Sequence, residues 1–279
     1  MRCFVITAAT ALLFTPQSAI HVTAQSRAMQ PGELVILTIA APASDADPVL
    51  VRAFGRGVAA WPTGTGEWRA LVGIDLDVKP GTYPVAVQAG PARVTHDLVV
   101  KPRAFRTRTL TVDPAFVTPP ESERERIARE AQLLDQVWKS SAAERLWTDA
   151  FVRPVPQAAN SAFGTRSVFN GQPRNAHGGA DFLSPAGTPI HAPNAGRIAI
   201  ARNLYFSGNT VIIDHGLGMF SMLAHLSSFD VHEGDRVTAG QRIGLVGATG
   251  RVTGPHLHWA VRAAGARVDP LSVLAVLGG

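Results

Sequence analysis

The strongest constraint on what this chain can fold into is a period of two. Trp68, Ala70, Val72, Ile74 and Leu76 alternate with Arg69, Leu71, Gly73, Asp75 and Asp77, and Ala92, Val94, His96, Leu98 and Val100 repeat the pattern. Successive side chains of a strand leave opposite faces, so this alternation marks half-buried strands. Glu33–Ile39, Val49–Phe54, Tyr83–Ala89 and Arg106–Val112 are further candidates. Turn pairs Pro31-Gly32, Thr63-Gly64, Pro80-Gly81 and Gly90-Pro91 separate them. Short strands at this spacing predict a β-sandwich-like domain over residues 25–115. His96 falls on the apolar face and reads as a packed core histidine.

One stretch differs. After Pro119-Pro120, residues Ile127, Ala131, Leu134 and Trp138 recur at helical spacing, with acids near the start that suit the helix dipole. Thr118 is a candidate N-cap. A linking helix is expected within residues 116–150, its charges forming a solvated face. From 151 to 279 the pattern is again β, with short strands at Val211–Asp214, Arg236–Val237, Ile243–Val246 and His256–Val261 and a possible last helix at Pro270–Leu277. The expected fold is mostly β, and 279 residues suffice for two domains.

Residues 1–24 have the form of a secretory signal peptide: Arg2, an apolar run from Phe4 to Phe14, then Val22-Thr23-Ala24 before a cut after Ala24. The apolar run is too short to span a bilayer, and no other stretch approaches the ~20 residues needed. The expectation is an exported protein of the periplasm, cell envelope or exterior that is not integral to the membrane.

Composition removes several classes of function. The formal charge is +5 and aromatics are 7% of residues, so neither charge nor stacking surface calls for nucleic acid. Cys3 is the single cysteine, which excludes a disulfide scaffold or a CxxC zinc site. Any metal must be held by histidine and carboxylate. The sequence carries no signal for an oligomeric state.

Seven of the nine histidines fall between 177 and 258. In a strand, His256-Leu257-His258 sends both imidazoles to one face, which makes a poor apolar core and a good metal or acid–base site. His177 and Asp181, four apart around Gly178-Gly179, also share a face; a surface hydrogen-bonded pair is the blander reading. Taken together, two histidines and one aspartate make a three-ligand set of the kind catalytic zinc uses, with the fourth position open to water. His225 and one member of the HxH pair are then left to move protons and stabilise an oxyanion. There is no GxSxG and no HExxH.

His177-x-x-x-Asp181, Gly208-Asn209-Thr210-Val211-Ile212-Ile213-Asp214-His215-Gly216, Ala224-His225-Leu226, Gly234-Asp235-Arg236-Val237-x-x-Gly240-Gln241-x-Ile243-Gly244 and Thr249-Gly250-Arg251-x-Thr253-Gly254-Pro255-His256-Leu257-His258 follow one another in order. Over about residues 155–275 this resembles the lysostaphin-type zinc peptidases, which are peptidoglycan endopeptidases. The resemblance implies an antiparallel β-sheet metallopeptidase domain over 151–279. It implies Zn²⁺ held by His177, Asp181 and His258, with His225 and His256 as catalytic histidines. The substrate implied is a stem or cross-link peptide of the cell wall. Leu223 and Ala260 depart from the family, which often has an aromatic and an acid there. Arg174 and Asn209, beside glycine-rich loops, are candidate substrate contacts.

Two other classes of function fit parts of the sequence. A catalytically silent regulator or binding module of wall hydrolysis would be expected to have lost some of these five residues. The segment Val231–Gln241 resembles the hairpin of biotinyl and lipoyl carriers, but no lysine follows Lys139 to serve as an attachment point. His215 reads as a hydrogen-bonded turn residue, His191 and His232 as surface, and Trp61 and Trp68 as possible sugar-stacking residues, with Trp68 in phase with the core.

Overall fold

Residues 20–41, 48–111, 118–148, 150–159 and 163–278 are described by the computed structural model. Period-two patterning gives the expected antiparallel strands in the first part: β1 (His21–Gln25), β2 (Leu34–Ala40), β3 (Leu50–Ala53), β4 (Arg56–Val58), β5 (Ala60–Gly64), β6 (Glu67–Gly73), β7 (Gly81–Ala89) and β8 (Ala92–Val100). They form two four-stranded sheets, ordered β1-β2-β6-β5 and β4-β3-β7-β8. Val35, Leu37, Ile39, Val51, Ala70, Val72, Val85, Val87 and Leu98 fill the space between them. This is a β-sandwich. His96 is half-buried on β8 rather than enclosed in that core. The expected signal segment lies outside the described residues as far as Ala19. Val22 to Ala24 belong to β1 and pair with Leu37 to Ile39.

The sandwich does not end at its own core. β6 is buried on both faces: Trp68, Ala70 and Val72 face the partner sheet, while Leu71, with Leu34 and Trp61, joins the core of the second half. Gly73 is pressed so close that an added Cβ would stand 2.7 Å from the Cβ of Ala266. Trp61 is therefore no sugar platform; it is buried, edge-on to Trp147 at 5.5 Å.

Next comes β9 (Thr107–Leu110), then a single 3₁₀ turn at Glu121–Glu123 and α1 (Arg124–Lys139). Neither the turn nor the helix has a side-chain cap, so Thr118 does not play the role expected of it. The charged face of α1 is solvated, with Glu125, Arg129, Asp135 and Lys139 exposed, but its apolar stripe is covered. Leu133, Leu134, Val137 and Trp138 pack on Ile200, Ile212, Phe220 and Met222 of the second half, with Trp138 edge-on to Phe220 at 5.4 Å.

The second half contains β10 (Arg166–Phe169), β11 (Gln172–Pro173), β12 (Gly179–Phe182), β13 (Pro189–His191), β14 (Gly196–Leu204), β15 (Gly208–Gly216), β16 (Met219–Phe229), β17 (Arg236–Val237), β18 (Arg242–Val246), β19 (Leu257–Ala263), β20 (Ala266–Val268) and α2 (Pro270–Leu277). β9 joins β10 and β11 in a small sheet, so a strand arriving from the first half borders the second. The main sheet runs β12-β19-β16-β15-β14-β17, with β13, β18 and β20 at its margins. One face packs on Phe151, Phe182, Leu223, Leu226, Trp259 and Val273; α1 covers part of the other. Asp269 caps α2 by accepting from the Leu271 N–H at 3.0 Å, a contact worth about 1 kcal/mol. The halves are further joined by Arg27 and Arg103, each bonded to both Glu33 and Asp269, and by Arg267 on Asp75 and Asp77.

Candidate functional site

Strand register assembles the first part of the site. In the β12–β19 pair Asp181 lies opposite His258, and on the other side of β19 Ala224 of β16 lies opposite His258. Cross-strand partners share a face, so carboxylate and imidazole project together. His256, two residues earlier, projects to the same side. Their intervening and neighbouring residues Leu257, Trp259 and Ala180 face the apolar core. His177 arrives from the loop before β12, fixed by its N–H on the Thr165 carbonyl (2.9 Å) and its carbonyl on the Gly164 N–H (2.7 Å). Gly179 must be glycine: a Cβ there would meet the His258 ring at 2.7 Å.

Three donor atoms converge. His177 Nε2 stands 3.1 Å from Asp181 Oδ1, His258 Nδ1 stands 2.9 Å from the same oxygen, and the two nitrogens are 3.0 Å apart. Three ligands on one face of a tetrahedral zinc site, with bonds of about 2.0–2.1 Å, would stand roughly 3.3 Å apart. Neutral imidazole and carboxylate suit a divalent metal of this kind, and the described residues hold one such group. Burial opposes the charge on Asp181, but hydrogen bonds from His177 and His258 outweigh it and hold its carboxyl well below the usual carboxylate range. Burial pushes the His258 imidazole down.

His225 reaches the site through a defect in the sheet. Between Leu223 and Leu226, both in the apolar core, regular alternation leaves room for one outward residue; Ala224 and His225 are two. The β15–β16 register shifts there, and His225 takes a φ of 68°. A bulge of this kind re-aims a side chain at the cost of local strain. Its ring then lies 4.8 Å from that of His256 and 6.1 Å from that of His258. The main chain of His225 donates to the Ser207 carbonyl, and its Nδ1–H to the Thr249 carbonyl, both at 2.9 Å. Burial and the neighbouring imidazoles lower its pKa to about 4, against the effect of the Thr249 bond. His256 donates Nδ1–H to the Gly254 carbonyl at 2.9 Å, leaving Nε2 4.0 Å from Asp181 Oδ1.

The two candidate substrate contacts differ. Arg174 is half-buried on the segment leading to His177, over the Phe169 ring at 5.9 Å. The Asn209 amide is engaged in the framework, accepting from Asn203 at 3.0 Å and donating to Ser227 O at 3.4 Å. Leu223 faces the core, away from the site. Sequence reasoning missed the supports of His225. Thr249 not only accepts from the ring but ties its hydroxyl to the Leu226 carbonyl at 2.7 Å. The β14–β15 turn that supplies Ser207 is anchored to α1, where Glu130 accepts from the Tyr205 N–H at 2.7 Å. His215 lies inside β15, not in a turn. It is fully buried, with Nδ1–H on the Ala195 carbonyl and Nε2 accepting from Ser221, and burial lowers its pKa to about 4. His232 is on the surface and His191 half-buried.

Comparison with known proteins agrees with this arrangement. The profile of peptidase family M23 matches residues 175–270. A crystal structure of a Pseudomonas aeruginosa protein ascribed to peptidase M23 superposes with a TM-score of 0.70 and 30% identity, covering 90% of this chain and 96% of that one. The chain belongs to peptidase family M23. Among curated M23-like relatives, the peptidoglycan DD-endopeptidase ShyA of Vibrio cholerae is 44% identical over 95 residues, 34% of this chain and 22% of ShyA. The DD-carboxypeptidase/endopeptidase Mpg of Neisseria meningitidis is 45% identical over 97 residues, 35% of this chain and 22% of Mpg. The match thus spans about a fifth of the length of these relatives.

Proposed function

We propose that this M23 chain is a zinc-dependent endopeptidase that hydrolyses peptide bonds in peptidoglycan stems or cross-links. The observation that carries the reading is the convergence of His177, Asp181 and His258 on one point, with the His225 and His256 rings beside it. The three converging residues would hold the ion. When bound there, zinc supplies Lewis acidity, polarising a carbonyl and bringing the acidity of water near neutral pH.

The chain's own groups supply the proton transfers. With Nδ1–H of His225 and His256 committed to main-chain carbonyls, the Nε2 atoms are the ones available to accept a proton. A histidine that takes the proton of the attacking water holds it on Nε2, hydrogen-bonds the developing oxyanion through that N–H without transfer, and then delivers the proton to the leaving amine as the C–N bond breaks. The carbonyls of Thr249 and Gly254 fix tautomer and ring orientation throughout. Arg174 and Asn209 remain the proposed substrate contacts, the first being the better placed.

The proposed setting is the cell envelope. No described helix is long and apolar enough to cross a membrane. A signal segment cut after Ala24, as expected from the sequence, would remove His21 to Ala24 of the edge strand β1, which pair with β2. The test is digestion of purified peptidoglycan, with mass spectrometry of the released fragments. The expected result is peptide release that a chelator stops and added zinc restores. Zinc-loaded protein that releases nothing would overturn the reading in favour of a silent regulator.

A further inference from the structure

One hydroxyl stands where β15 and β16 part to let His225 out of the sheet. Asn209 and Leu226 are cross-strand partners, and so are Val211 and Leu223; between these pairs Thr210 of β15 faces two residues of β16, Ala224 and His225. Thr249, on the loop between β18 and β19, reaches across the gap. Its Oγ1 accepts from the Asn209 N–H at 2.9 Å and donates to the Leu226 carbonyl at 2.7 Å. The hydroxyl thus joins an N–H of one strand to a carbonyl of its partner residue, the two kinds of group that a regular ladder pairs directly. A side chain must both donate and accept to do this, and a hydroxyl can.

Thr249 holds His225 at two points. Its carbonyl accepts from the ring Nδ1–H at 2.9 Å, and its hydroxyl holds the carbonyl of Leu226, the next residue along the chain. His225 has a φ of 68°, a conformation that a residue with a side chain keeps only where its surroundings over-determine it. The approach is close: a Cβ on Gly208, whose φ is 63°, would stand 2.4 Å from Thr249 Oγ1. We infer that the Thr249 hydroxyl is a positioning group, which keeps the β16 bulge open and so turns the His225 ring towards His256 and His258. The inference rests on the endopeptidase reading, in which His225 moves a proton, and adds the residue that sets its aim.

The test uses the zinc-loaded full chain and a soluble cross-linked stem-peptide dimer. Thr249→Val keeps the shape of the side chain and removes the hydroxyl, whereas Thr249→Ser keeps the hydroxyl. Misplacing a catalytic group costs rate more than binding, so Thr249→Val should lower kcat by about 10–100-fold and leave KM within about twofold. Thr249→Ser should recover most of the loss, and both variants should hold metal as wild type does. In a His225→Ala background Thr249→Val should cost nothing further, because the group it positions is gone. An equal loss in both backgrounds, a Thr249→Val enzyme as fast as wild type, or a Thr249→Ser enzyme as slow as Thr249→Val would overturn the inference. Should Thr249→Val not fold, Thr249→Ala takes its place in the same comparison. If wild type cleaves no dimer, the endopeptidase reading fails separately. The positioning role is then read by NMR from the His225 imidazole N–H proton, assigned by its loss in His225→Ala. That signal should shift or vanish in Thr249→Val and persist in Thr249→Ser; an unchanged signal in Thr249→Val overturns the inference.

Discussion

Glu33 and Asp269 are almost wholly buried, and Asp181 is largely so, yet the charges around them follow opposite plans. At the junction of the halves, two carboxylates meet two guanidinium groups. Arg27 and Arg103 each bond both acids, and Ser272 donates to Glu33 at 2.7 Å. Charge is balanced and the hydrogen bonds are used internally. At the M23 site one carboxylate meets two imidazoles, and three donor atoms crowd within about 3 Å of one another with no cation of the chain among them. A balanced cluster holds pieces together, whereas a convergent, unbalanced one is shaped to receive something. The two are linked by chain: Asp269 caps the helix that follows β20, and β20 pairs with β19, which carries His258.

Substitutions should separate these roles. Asp181→Ala removes the charge of the convergent cluster. Bound metal should be lost and kcat/KM should fall by at least about 10³-fold, read by metal analysis and peptide release; retention of both would merge the two plans. His225→Ala should keep the metal and lower kcat by about 10²–10⁴-fold, and metal loss would move His225 into the ligand set. Arg103→Met, in the balanced cluster, leaves two buried acids sharing one arginine. Unfolding free energy should drop by about 3 kcal/mol in a urea titration, with metal content unchanged.

His215 gives a pH signature remote from the metal. Its folded pKa of about 4 lies below its unfolded value, so the unfolded chain binds more protons between those values. Stability present above about pH 6.5 is therefore lost as pH falls towards 4, by up to about 3 kcal/mol, and His215→Gln should flatten that slope. The smallest effect is expected from Glu130→Ala, which frees the turn holding Ser207: about 1 kcal/mol of stability and a few-fold in kcat, with metal retained.

The balance of what sequence could show follows from the same physics. Sandwich strands such as β3, β7 and β8 are legible because each has a more buried and a wetter face. β15 and β16 were only partly so: they lie between the apolar core and α1, are buried on both faces, and so lose their alternation. Helical spacing announced α1, but a periodic stripe does not say what will cover it. Asp181, His256 and His258 are legible because the parity of extended chain puts them on shared faces, whereas His177 sits in the loop before β12 and is placed by main-chain bonds to Thr165 and Gly164. His225 obeys no parity, since its approach depends on a bulge. His215 was misread because Asp214-His215-Gly216 has the composition of a turn while its backbone stays in the sheet. The Arg103–Asp269 contact joins residues 166 apart, a distance over which local pattern carries no information.

The most direct test of the central claim is metal content measured alongside peptide release from purified peptidoglycan, for wild type, His258→Ala and His256→Ala. The account predicts one metal per chain and activity in wild type, loss of both in His258→Ala, and retained metal without activity in His256→Ala. Full metal in His258→Ala, or full activity in His256→Ala, would contradict it.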